Sequence, residues 1–159
     1  MSRTIITATQ SIVCALVLGV ASFASAAEVQ VPREIDFAES ASVRSAIREQ
    51  CNLQTIIPEA IASSASDAEL VDGNENLSLE ITAVHGPGGW IFSGPKWVEV
   101  SGKLSRGGET YNFRAKRYSA FNPFGGVCSI LNKCGRAIGS DIATWLQNPT
   151  ANAELGDAK

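Results

Sequence analysis

Residues Val127–Leu146, with the sequence VCSILNKCGRAIGSDIATWL, decide how the rest of the chain packs. At about 100° per residue, the main apolar side chains of this stretch fall on one arc of roughly a third of a helix circumference: Leu131, Cys134, Ile138, Ile142 and Trp145. Polar side chains occupy the opposite side: Lys133, Arg136 and Ser140. The pattern predicts a helix with one buried face, so the strands before it are expected to form the surface that it covers.

Three segments before this helix have the period of two that is typical of half-buried strands. Residues Leu77–Ala83, Lys96–Leu104 and Glu109–Tyr118 each alternate apolar and polar side chains. Residues Ser105–Gly108 between the last two have the length and glycine content of a hairpin connection. The three segments are therefore predicted to form an antiparallel meander.

The first half of the domain is predicted as a strand, a helix and a loop. Residues Ala27–Phe37 alternate apolar side chains, and residues Val43–Ile61 repeat them at helical spacing. Because Pro58 removes a backbone amide, the helix is expected either to kink there or to end earlier and restart at the proline. Residues Ser63–Asn76 are polar, with turn-forming residues at their end, and are expected to be a loop.

The order strand-helix-strand-strand-strand-helix predicts an α+β fold. We expect a two-layer sandwich, with an antiparallel sheet of three to four strands and both helices on one face of it. Residues 27–147 would form this single domain. Residues 148–159 are short and polar, and are expected to be a disordered tail.

The N-terminus has the pattern of a secretory signal peptide. Arg3 provides a basic start, Ser11–Val20 is an apolar run, and Ala24–Ala26 is a small-residue cleavage pattern. We expect residues 1–26 to be removed after Ala26, giving a periplasmic or secreted protein with no membrane span; an uncleaved N-terminal anchor is the alternative. The apolar run is shorter than the roughly 20 residues that a membrane-spanning helix needs.

Export would place three cysteines, Cys51, Cys128 and Cys134, in an oxidising compartment, where they permit one disulfide. Cys128 and Cys134 are a poor pair because six residues of helix rise about 9 Å, beyond the roughly 7 Å Cα limit of a disulfide. A bond from Cys51 to Cys128 is favoured, because Cys128 stands at the start of the helix where the chain can adjust. Cys134 is the alternative partner.

Few catalytic chemistries are compatible with this composition. The chain has one histidine, His85, which excludes a site with two histidine ligands, and no G-x-S-x-G context accompanies it for nucleophilic catalysis. We therefore predict no catalytic residue, no metal site and no cofactor. A net charge of −3 indicates neither nucleic acid nor an anionic membrane as partner.

Four residues are candidates for contact with a partner. The loop from His85 to Pro95, HGPGGWIFSGP, surrounds Trp90 and Phe92 with glycine and proline. These two rings either fold back over the core or are presented to a partner, as hot-spot aromatics are. Charge adds a second candidate surface, because Arg114 and Lys116 are expected to face water on a strand of the more basic half.

Several short motifs resemble those of small uncharacterised exported bacterial proteins. They are Cys51-Asn52-Leu53, the Ser101-Gly102-Lys103 and Gly107-Gly108 hairpin before Phe113, and the closing helix with Cys128 and Asp141-Ile142-Ala143-x-Trp145-Leu146. The resemblance covers about residues 29–147. It implies a layout similar to the α/β domains of outer-membrane lipoproteins and transport-auxiliary components. The chain departs from the lipoproteins because no small residue directly precedes Cys14.

Two hypotheses of function follow. The favoured one is a non-enzymatic accessory or binding protein of the cell envelope, whose partner is an envelope protein. The alternative is a protein inhibitor of a secreted or periplasmic hydrolase, in which the loop from His85 to Ser93 would enter the active site.

Overall fold

The computed structural model describes residues 29–73, 75–87, 94–119 and 126–158. These form, in chain order, β1 (Val29–Pro32), β2 (Asp36–Phe37), α1 (Ser45–Gln50), α2 (Leu53–Ser64), β3 (Ala68–Val71), β4 (Leu77–His85), β5 (Lys96–Arg106), β6 (Glu109–Ser119), α3 (Val127–Leu146) and β7 (Ala153–Gly156). The signal peptide predicted for residues 1–26 lies outside the described residues.

The main sheet has five strands in the order β2-β4-β5-β6-β7. Its centre is the predicted antiparallel meander, β4-β5-β6. Both edges are parallel, since β2 pairs in parallel with β4 and β7 pairs in parallel with β6. A separate parallel pair consists of β1 and β3. The α+β class holds, but the predicted sheet of three to four antiparallel strands is wrong, because the sheet is mixed and has five strands.

The edge strand β7 lies where a disordered tail was expected. It is entered through Asn152, with φ +53°, and it ends at Gly156, with φ +64°. Asp157 then fastens the chain to β6: its amide donates to the carbonyl of Lys116 over 2.8 Å, and its carboxylate accepts from the amide of Tyr118 over 3.1 Å. These bonds account for a strand that its short polar sequence did not indicate.

The helix predicted from residue 43 to 61 is two helices. The break lies at Asn52, which has φ +49° between α1 and α2. Pro58 lies inside α2 and does not end it. The missing amide of Pro58 leaves the carbonyl of Gln54 without its helical donor, and this oxygen accepts instead from the amide of Ile35 over 3.1 Å. A tertiary hydrogen bond thus replaces the helical one.

The helix α3 lies on one face of the main sheet, and its predicted apolar arc is buried. The ring of Trp145 packs 4.7 Å from that of Phe113 on β6. On its other side α3 meets α2 through Gly139, where a Cβ atom would come 2.5 Å from the Cβ of Ala60. Glycine at this position therefore sets how closely the two helices approach.

The predicted disulfide Cys51–Cys128 is confirmed, with a Cα–Cα distance of 4.7 Å. It ties the corner between α1 and α2 to the first turn of α3. Cys134 is a buried free thiol, and burial raises its pKa. None of the helices in the described residues is long and apolar enough to cross a membrane.

Candidate binding surface

The strands β4, β5 and β6 present two different faces. Side chains that point toward α3 are buried, among them Val98, Val100 and Leu104. Side chains that alternate with them point away from α3 and are exposed or half-buried; we call this set the outer face: Ser78, Glu80, His85, Trp97, Glu99, Ser101, Lys103, Asn112, Arg114, Lys116 and Tyr118. The outer face is the side of these three strands that α3 leaves open.

An aromatic row crosses the outer face at one end of the sheet. His85, Trp97 and Tyr118 are register partners on the three central strands. The rings of His85 and Trp97 are stacked, with centroids 5.7 Å apart and planes 16° apart. Tyr118 is 57% exposed. Stacked rings that keep one side in water form a rigid surface that is partly apolar and partly polar, which suits contact with another molecule.

A bulge in β4 brings His85 into this row. The register between β4 and β5 shifts between Ile81 and Ala83. Before the bulge the odd-numbered residues point toward α3, whereas after it Val84 is buried and His85 is exposed. The bulge therefore turns His85 to the same face as Trp97.

Lys116, one of the predicted partner-binding residues, belongs to the aromatic row. Its Nζ atom lies 4.4 Å from the ring centroid of Trp97 and 3.5 Å from a carboxylate oxygen of Glu99. The ring face and the carboxylate both attract the positive charge of this group. The cation is therefore held against the indole ring and is already paired.

Arg114, the other predicted cation, lies on the outer face and is also paired. It donates to the carboxylate of Glu154 on β7 over 2.8 Å, and to the carbonyl of Ala158 over 3.5 Å. The expected basic face is consequently neutralised by β7 and by Glu99. Because β7 was not predicted, the pairing with Glu154 was not expected either.

Arg117, on the opposite face of β6, joins three parts of the fold. It makes two hydrogen bonds of 2.7 Å to the carboxylate of Asp141 on α3, and a longer contact of 3.5 Å to Asp157. The hydrogen bonds that Arg117 donates to Asp141 raise the pKa of Arg117. This cluster holds β6, α3 and the chain after β7 together behind the aromatic row.

The end of β4 is anchored beside the disulfide. A Cβ atom on Gly86 would lie 2.9 to 3.0 Å from side-chain carbons of Ile47, Val127 and Leu131. Gly86 thus rests directly on the apolar cluster around Cys51 and Cys128, and this close approach fixes the position of His85. Trp90 and Phe92, the predicted aromatic anchors, lie outside the described residues; in sequence they belong to the connection between His85 and Trp97.

A groove of about 630 Å³ occupies the part of the outer face nearest β2. Its floor includes the small side chains of Ser78 and Ser101. Its lining includes four exposed carboxylates: Glu34, Asp36, Glu75 and Glu80. Sequence reasoning missed this groove, because it depends on the pairing of β2 with β4, which brings Asp36 beside Glu80.

No group of three or more histidine, cysteine, aspartate or glutamate side chains that could hold a metal ion occurs within residues 29–73, 75–87, 94–119 and 126–158. The outer face offers aromatic stacking, a cation–π contact and charged side chains.

No protein-family model matches the chain, and no curated protein matches it in sequence. Among solved structures, it is similar to an uncharacterised protein, with a TM-score of 0.53, 12% identity, and coverage of 76% of this chain and 92% of the other. It also aligns with a PelC variant from Paraburkholderia phytofirmans, solved as a dodecamer, with a TM-score of 0.40, 15% identity, and coverage of 72% and 84%. The first similarity concerns the fold alone, and the second is too weak to support an argument.

Proposed function

We propose that this chain is an exported, non-enzymatic binding protein of the cell envelope, which contacts a partner protein through the aromatic row. The observation that carries the proposal is the alignment of His85, Trp97 and Tyr118 across three strands of an open sheet face. Tryptophan and tyrosine are enriched among residues that dominate binding energy. They also lose little side-chain entropy when they are bound.

The disulfide supports an oxidising location. The Cys51–Cys128 bond joins residues 77 apart in sequence and is buried at Cys51. Structural disulfides persist mainly in secreted and periplasmic proteins. Together with the expected signal peptide of residues 1–26, the bond favours export to the periplasm or the medium.

The position of His85 favours binding over catalysis. Its ring is exposed at the end of β4 and is stacked on Trp97. A histidine that acts as a general base needs a reacting group and an orienting partner within hydrogen-bonding distance, usually in a cleft. The stacked ring instead adds to the aromatic surface.

A direct test is quantitative capture of partners from exporting cells. The chain carrying Trp97→Ala and Tyr118→Ala is compared with wild type after mild crosslinking. We expect recovery of the partner to fall at least tenfold, because a hot-spot residue contributes about 2 kcal/mol or more. Thr110→Ala, at the far end of the outward side of β6, is the matched control and should recover the partner fully. Undiminished capture by the folded double variant would contradict the proposal.

The inhibitor function remains the second candidate, because the loop that follows His85 starts from an anchored position. Gly86 rests on the cluster around the disulfide, so this end of the loop is fixed before binding. Rigid loops lose less entropy when they enter an active site. Inhibition of muramidases or proteases at micromolar concentration by the wild-type chain, abolished by Trp90→Ala, would support it. Full enzyme activity at that concentration would exclude it for the enzymes tested.

A further inference from the structure

The charges of the outer face are distributed unevenly. Its cations on β6 are neutralised, Arg114 by Glu154 and Lys116 by Glu99. By contrast, the four carboxylates of the groove make no ion pair with any cation in the described residues. The undescribed positions between residues 29 and 158 carry no charged side chain, since they are Asn74, residues 88–93 and residues 120–125. The exposed cation Lys103 also lines the groove. Four carboxylates against this one ammonium group leave the groove lining with an excess of negative charge.

We infer that the outer face binds a lysine- or arginine-rich segment of a partner protein, which lies in extended form from the groove to the aromatic row. This inference rests on the proposed function and names the chemistry of the partner. Charge complementarity selects the occupant: Glu34, Asp36, Glu75 and Glu80 are all exposed, and Glu34 has only the neutral amide of Gln54 as a partner. A cationic segment would supply the missing countercharges.

The dimensions of the face fit such a segment. Ser101 in the groove and Trp97 in the aromatic row are four residues apart on β5, a distance of about 13 Å along a strand. An extended segment of about five residues covers this distance. The small side chains of Ser78 and Ser101 leave space above the strands for its backbone.

The groove and the aromatic row attract the same kind of side chain. Carboxylates attract lysine and arginine, and arginine pairs with them through two parallel hydrogen bonds. At the other end, the ring of Tyr118 is 57% exposed and attracts the same cations through its face, whereas Lys116 already lies over the ring of Trp97. A segment with cations at both ends would therefore be favoured at the groove and at Tyr118, whereas an acidic segment would be repelled from the groove.

The test is fluorescence anisotropy with a labelled nine-residue peptide of alternating arginine or lysine and glycine, and with its glutamate counterpart. We expect the cationic peptide to bind at low salt, with an affinity that falls as salt increases, and the acidic peptide not to bind. Glu34→Gln, Asp36→Asn and Glu80→Gln together should weaken binding about tenfold, because each exposed ion pair contributes a small amount.

The matched control is a triple variant with the same change of net charge at exposed carboxylates elsewhere: Glu49→Gln, Glu59→Gln and Glu69→Gln. It should change affinity less than twofold. Equal weakening in both triple variants would overturn the inference, because it would mean that net charge alone attracts the peptide. Competition by spermine at the affinity of the peptide would also overturn it, because the face would then bind any polyamine.

The proposed function and the inference about a cationic segment would be contradicted by different results. If Trp97→Ala with Tyr118→Ala abolishes partner capture, but the cationic peptide binds no better than the acidic one, the proposed function stands and this inference is wrong. If the groove variants lose the peptide, while the aromatic variants keep both the peptide and the captured partner, the cationic segment stands and the aromatic row is not its anchor.

Discussion

The two faces of the same strands differ in what their side chains do. On the inward face Val98, Val100 and Leu104 are completely buried beneath the helical layer, whereas on the outer face Tyr118 is 57% exposed. Most inward residues are held by packing, with the Arg117–Asp141 ion pair as an addition, whereas outer residues are held by stacking and by ion pairs. Under the proposed function, stability and recognition would occupy opposite sides of one sheet. Substitutions should therefore affect one without the other.

The greatest loss of stability is expected for substitutions on the inner, helical side of the sheet. Replacement of Cys51 and Cys128 by alanine releases a connection between residues 77 apart. The chain-entropy account gives a loss of about 4.5 kcal/mol in the free energy of unfolding. Urea denaturation of the oxidised wild type and the double variant measures this loss. A loss below about 1 kcal/mol would mean that the helical layer does not depend on the covalent link.

A smaller loss in the free energy of unfolding is expected for a substitution where α2 meets α3. In Gly139→Ala the new Cβ atom would lie 2.5 Å from the Cβ of Ala60, so the helices must separate. Overpacking of this kind costs about 1–3 kcal/mol. Gly126→Ala is the control, because a Cβ atom there meets nothing within 4 Å. Thermal unfolding should distinguish the two variants, and equal melting temperatures would contradict the close approach of the helices.

Strand β6 carries one ion pair on each face, so the contributions of the two faces to stability can be compared directly. Arg117 and Asp141 have side chains 34% and 20% exposed and make two hydrogen bonds of 2.7 Å. Arg117→Met should lower the free energy of unfolding by about 1–2 kcal/mol, because the acceptors on Asp141 lose their partner. Arg114→Met removes a pair that is 48% and 47% exposed, and should cost below about 1 kcal/mol. The opposite order in chemical denaturation would contradict the assignment of the two faces.

The smallest expected effect on stability is at the aromatic row. Tyr118→Ala should change the free energy of unfolding by no more than about 0.5 kcal/mol, because most of the ring is already in water. Chemical denaturation checks this value. A loss of more than about 1.5 kcal/mol would place Tyr118 among the residues that hold the fold.

The long elements could be predicted from the sequence, and the short ones could not. The helix α3 and the strands β4, β5 and β6 are long enough for their periods to identify them. The two residues of β2 and the four of β7 have no usable period, and they form only because β4 and β6 offer open edges. The interruption of the first helix at Asn52 was missed for a related reason: Pro58 was expected to cause it, but a tertiary hydrogen bond accommodates the proline.

Only part of the candidate binding surface could be predicted from the sequence. Alternation along β5 placed Trp97 outward, and this was the signal that could have found the aromatic row. The partnership with His85 depends on the bulge between Ile81 and Ala83, which no residue type in that stretch indicates. The ion pair that compensates the charge of Arg114 depends on Glu154, which is 40 residues away in sequence.

Site-specific photocrosslinking in exporting cells determines which side of the sheet contacts the partner. A benzoyl-phenylalanine replaces Tyr118 in one variant and Ser140, exposed on α3, in another. We expect a crosslinked partner from position 118, a lower yield of it when Trp97→Ala is added, and no adduct from position 140. An adduct from position 140 with none from position 118 would contradict this expectation, because recognition would then belong to the helical side.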